Sequence, residues 1–185
     1  MERMGNSLDQ LVASRCDAFR GQSAIEGGLA FPESIDRGRL DYSIDSLFAI
    51  DRYLLCVHDH FDDIPVQAFC NTILAPAFYV GEVIRRNAFA MNYSWVTIRQ
   101  SPRELDTTDR CWIGPCAVTV LSSPTGRMCM PGKVVARVIR RGTKAICVHR
   151  YAVSEVSTVP RRADISQIRQ SLQTDLLELP VLPRG

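Results

Sequence analysis

The segment His58-Asp59-His60, followed by Asp62 and Asp63, carries the residue types of a metal site. Its spacing argues against one. On a helix, residues two apart point about 200° away from each other, so His58 and His60 cannot hold one ion unless the helix end unwinds. The segment therefore reads as a solvated acidic helix end. The seven cysteines run from Cys16 to Cys147, with one loose pair, Cys111-x4-Cys116, followed by Cys129. Structural zinc sites show two close pairs, so these read as buried free thiols, and no metal or other cofactor is expected. A Cys–His nucleophile pair assembled by folding stays open, with no local signature behind it. No nucleophile elbow, P-loop or dinucleotide fingerprint is present, and no catalytic residue is assigned.

Tyr79-Val-Gly-Glu82-Val-Ile-Arg85-Arg86 is the most distinctive local pattern. Glu82 reaches Arg85 and Arg86 at i+3 and i+4, a salt-bridge spacing. Gly81 inside a helix costs about 1 kcal/mol relative to Ala, which close approach of another backbone would repay. Lys133, Arg137, Arg140 and Arg141 fall on one face of a second helical pattern, with Val134, Val135, Val138 and Ile139 on the other. Such a basic face suits phosphate backbones, an acidic surface of the same chain, or solvent.

Charge is sorted along the chain. Residues 1–82 hold 13 Asp and Glu against 6 Arg, a net of −7, and residues 127–162 hold 9 Lys and Arg against Glu155, a net of +8, within a total of +2. Two such poles suit a charged partner or mutual attraction. The length suits one domain with a real core. The odd cysteine count and the polar start favour a cytoplasmic protein with reduced thiols, and no apolar run is long enough to span a membrane.

The elements that must position these residues follow from periodicity. Leu8, Leu11, Val12, Cys16 and Phe19 predict a first helix ended by Gly21, and residues 22–39 a loop or connector. Ser43 as N-cap opens a second helix with Leu47, Ile50, Leu54, Leu55, His58 and Phe61 on one face. Phe69 to Ile84 predicts a third, kinked or restarted at Pro76. Trp95–Arg99 and Cys116–Leu121 read as strands, Pro131–Gly142 as the basic helix, and Ile165–Leu179 as a last helix; residues 145–156 fit helix or strand equally. The expected fold is a single compact α+β domain, helices flanking a small antiparallel sheet. Residues 1–39 form a loosely attached helix and connector, and residues 40–185 the core.

Leu40-Asp-Tyr-Ser43-x-x-Ser46-Leu47, then Tyr79-x-Gly81-Glu82-x-x-Arg85-Arg86, then Trp95, resembles a group of uncharacterised bacterial domains with a YS-x-x-SL helix start and a Y-x-GE-x-x-RR helix. The resemblance covers about residues 40–156. It implies an α+β module without an established catalytic site, and some such domains resemble cytosolic immunity proteins that neutralise toxins by binding.

Together these readings point away from an enzyme and towards a binding protein whose partner is another protein, for example a toxin. The expected partner-binding residues are Asp59, Phe61, Asp62 and Asp63, with Glu82, Arg85 and Arg86. The alternatives are a nucleic-acid or phosphate-ligand binder using Lys133, Arg137, Arg140, Arg141, Arg161 and Arg162, and an enzyme whose site is gathered from Glu82, His149 and a cysteine.

Overall fold

A computed structural model describes residues 5–97, 119–142 and 146–157. The described residues form five helices and a three-stranded antiparallel sheet, an α+β arrangement. The helices are α1 (Gly5–Phe19), α2 (Leu47–Asp59), α3 (Val66–Asn87), α4 (Pro131–Arg141) and α5 (Val148–Val156). The strands are β1 (Ser94–Thr97), β2 (Thr119–Ser122) and β3 (Met128–Cys129), ordered β1-β2-β3. Trp95 sits opposite Leu121, and Leu121 opposite Cys129. No described helix is long and apolar enough to cross a membrane.

α3 is the axis of the fold, buried on every side from Asn71 to Ile84. It runs through Pro76 without a break. Proline removes one helical hydrogen bond, but α3 packs on both α1 and α4, which offsets that loss, so the helix does not restart at Pro76. α2 begins at Leu47, later than a Ser43 cap implies. Ser43 Oγ does accept from Ser46 N at 3.2 Å, but it closes a tight turn whose i to i+3 bonds lead into the helix.

The described part of the N-terminal segment, residues 5–39, is packed on the core rather than loosely attached. Val12, Cys16 and Phe19 of α1 lie in the same core as α2 and α3. The connector has only two short 3₁₀ turns, Pro32–Ser34 and Arg37–Arg39, so most of its backbone groups need other partners. Buried polar side chains supply them. Asn71 Nδ2 donates to the Glu26 and Gly28 carbonyls, Thr72 Oγ1 accepts from Ala30 N, and Tyr53 Oη donates to Ala30 O. These residues stand on helical faces that a hydrophobicity pattern leaves blank.

α4 follows the expected register, with its valines and Ile139 buried and Lys133, Arg137, Arg140 and Arg141 exposed. Gly142 ends it at φ +70°, and a Cβ there would press on the His58 ring at 3.2 Å. The ambiguous 145–156 stretch contains α5. Its first amides, Val148 N and His149 N, donate to the Asp51 carboxylate of α2 at 2.7 and 3.1 Å. The expected helix Ile165–Leu179, Arg161, Arg162, Cys111 and Cys116 lie outside the described residues.

Candidate functional site

The residues of the three motif segments, Leu40–Leu47, Tyr79–Arg86 and Trp95, converge on one cluster between α3, β1 and the turn before α2. Glu82 is buried, 5% exposed, and accepts from Trp95 Nε1 at 2.8 Å, from Arg85 Nε and Nη2 at 2.8 Å each, and from Arg86 Nε at 3.3 Å. Burial alone would raise its carboxyl, but the hydrogen bonds from Arg85 and Trp95, with the neighbouring charges, outweigh it and hold the group below its ordinary range. Gly81 explains how Trp95 gets there. A Cβ at Gly81 would overlap the Trp95 indole and touch Pro131 Cγ at 3.2 Å. The group that approaches is thus a side chain rather than the expected backbone.

Glu82 is therefore not a surface contact, as its place among the partner-binding residues required. Its neighbours Arg85 and Arg86 reach solvent, with 41% and 49% of their side chains exposed.

Tyr42 is the other centre of the cluster. Its φ of +65° lies in the left-handed region, which costs a side chain of this size about 1–2 kcal/mol. The surroundings enforce it. Tyr42 N donates to Tyr79 Oη, Tyr79 Oη donates to Ser46 Oγ, and Asn87 Nδ2 donates to the Tyr42 carbonyl. The Tyr42 and Tyr79 rings stack at 4.9 Å, while Arg86 Cζ lies 3.7 Å and Arg20 Cζ 5.1 Å from the Tyr42 centroid.

The acidic end of α2 forms a separate surface. Asp59, Phe61, Asp62 and Asp63 are exposed, the last three in a 3₁₀ turn, Phe61–Asp63. Phe61 meets Phe69 edge-on at 6.2 Å. Along α2 the exposed residues Phe48, Arg52, Leu55 and Asp59 form one stripe at i, i+4, i+7 and i+11. Phe48 is 50% exposed and stacks on His149 at 3.9 Å. Val66, just past the turn, is 90% exposed.

The two histidines of the acidic segment are held apart. His58 Nδ1 bonds the Ile139 carbonyl of α4 at 2.7 Å, and His60 Nδ1 the Cys56 carbonyl at 3.0 Å. Among the described residues no three His, Cys, Asp or Glu side chains are grouped as metal ligands would be. The residues of the gathered-enzyme reading have different neighbours. Glu82 binds Trp95 and Arg85, and His149 stacks on Phe48. Cys129 Sγ lies 3.0 Å from Tyr151 Oη, and burial pushes that thiol up to about 12, so it is a poor nucleophile near neutral pH.

Sequence reasoning missed Tyr42, Arg20 and Asp51. Tyr42 stood inside a quoted motif, but nothing in the chain announces its backbone conformation. Asp51 reads as an ordinary exposed helix carboxylate until α5 is placed on it.

Comparison of the chain with family models, with curated proteins and with solved structures finds no match.

Proposed function

We propose that this protein is a non-enzymatic binding protein that docks a basic protein surface through the outer face of α2 and the turn after it. The observation that carries this reading is an exposed apolar strip with a carboxylate rim. Phe48, Leu55, Phe61 and Val66 are all solvent-accessible, and Asp45, Asp59, Asp62 and Asp63 stand exposed beside them. Aromatic anchors inside a rim where four carboxylates outnumber the single cation Arg52 suit a partner of opposite sign, because the rim steers encounter and the anchors supply the desolvated centre. The motif resemblance narrows the partner to a toxin that the protein neutralises, with a basic nuclease as the fitting chemistry. A cytoplasmic location accords with that role.

The test uses cross-linking in native cells followed by association kinetics with the partner recovered. Reversal of Asp59, Asp62 and Asp63 to Lys is expected to slow association at least tenfold at low salt, and Phe48→Ala with Leu55→Ala to speed dissociation. If both variants bind at wild-type rates, the α2 surface is not the interface.

The second reading, nucleic-acid binding, is supported by the exposed Lys133, Arg137, Arg140 and Arg141 on α4. About four charges give only weak, strongly salt-dependent affinity for phosphate backbones. Submicromolar binding to labelled RNA or DNA near physiological salt, lost on Arg137→Glu with Arg140→Glu, would put this reading first.

A further inference from the structure

Arg20 and Arg86 are 66 positions apart and lie in a stretch whose acidic residues dominate, yet both guanidiniums come to the Tyr42 ring. Tyr79 stacks on one face of that ring, which leaves the other to Arg86 at 3.7 Å. The position of Tyr42 is enforced against its own backbone preference by Tyr79 and Asn87. A strained residue held by a dedicated hydrogen-bond set is a recurrent property of ligand sites.

The two cations are only partly balanced. Glu82 gives Arg85 two bonds of 2.8 Å and Trp95 a third, and it leaves Arg86 one contact at 3.3 Å through Nε. Arg20 spends Nε on a neutral acceptor, the Leu40 carbonyl, and its Nη1 reaches the Gln22 amide oxygen once that amide is turned. The other carboxylates nearby keep their charge, but each has a partner other than Arg20 and Arg86. Asp41 is held by Ser43 N and Oγ, Asp36 pairs with Arg39, and the turned Gln22 amide donates to Asp17. A further cation, Arg37, lies over Gly21 beside Arg20.

We propose that Arg20 and Arg86, seated on Tyr42, form a binding site for a small phosphate monoester. A guanidinium offers five donors in a planar fork, and each of these two has donors left for a ligand. A pair of cations at one place calls for a dianion, and a phosphate monoester carries about −1.5 to −2 charge at neutral pH. The site lies on the turn after α1, on α3 and on the turn before α2, apart from the α2 surface and from the basic face of α4. It stands or falls independently of the binding function proposed above.

The experiment is calorimetric titration of the full chain with inorganic phosphate and with phenyl phosphate, ionic strength held constant with chloride. Saturable binding at one site per chain is expected. Arg20→Gln with Arg86→Gln should weaken it at least tenfold, while Arg150→Gln, an exposed cation of α5 outside the surfaces named above, leaves it unchanged. Arg86→Lys keeps the charge but loses the fork, and should weaken binding several-fold. Near-UV circular dichroism checks folding, and if the double variant does not fold, Arg86→Lys decides the matter. No binding above the chloride control, wild-type affinity in the Arg86→Lys or double-Gln variants, or loss of binding in Arg150→Gln or in Lys133→Gln with Arg137→Gln would each overturn the site.

Discussion

Replacing Gly81 by Ala places a methyl group where the Trp95 indole lies. Helix propensity alone favours Ala by about 1 kcal/mol. Against it stand two costs. Overpacking of a filled core costs about 1–3 kcal/mol. A displaced indole also weakens the Trp95 Nε1 bond to the Glu82 carboxylate, and a hydrogen bond to a charged group is worth about 1.5–3 kcal/mol. Pro131 Cγ, 3.2 Å from the same point, blocks relaxation towards α4. The net expectation is a loss of about 2–3 kcal/mol, or roughly 5–10 °C in Tm for a domain of this size. Urea denaturation followed by circular dichroism and by tryptophan fluorescence measures it. The mechanism also predicts coupling. Trp95→Val is destabilising by itself, but it removes the clash, so Gly81→Ala added to it should cost nothing or restore a few tenths of a kcal/mol. A Gly81→Ala protein as stable as the wild type, or strictly additive effects with Trp95→Val, would refute the packing argument.

Glu82→Gln is expected to cost about 1–2 kcal/mol at neutral pH, discounted for the exposure of its arginine partners. Because the folded carboxyl is held below its ordinary value of 4.5, its contribution is present above that value and is lost as pH falls through the lowered folded value; the gap between the two proteins should therefore narrow as pH is taken down below 4.5, and a gap constant with pH would count against the ionic account. Asp51→Ala removes the acceptor of Val148 N and His149 N, a capping loss of about 1–2 kcal/mol. Hydrogen exchange should then speed up in Val148–Val156 more than in α1 or α3, and unchanged protection of α5 would show that its packing alone suffices.

The sequence determined the elements whose signal is local. α4 was legible because one stripe of valines and one of cations repeat at helical spacing between a proline and a glycine, and the structure keeps that division. The Glu82–Arg85–Arg86 contacts were legible because i+3 and i+4 neighbours meet on any helix. Gly81 announced a close approach, since a helix-interior glycine is costly, but the intruder belongs to β1 and has no trace in the local spacing. Tertiary structure decided the rest wherever a partner lies far along the chain. α5 is a helix in a stretch that fits two periods, and it rests on a carboxylate 97 positions earlier. α3 continues through Pro76 because its packing on α1 and α4 supplies more than one lost bond removes. The N-terminal connector is anchored by polar residues of α2 and α3 whose role appears only when the loop crosses them. The candidate surfaces divide in the same way. The acidic end of α2 lies within one short segment and could be read directly, whereas Arg20, Tyr42 and Arg86 share no segment at all. Charge counted along a chain cannot reveal cations that only folding brings to one ring.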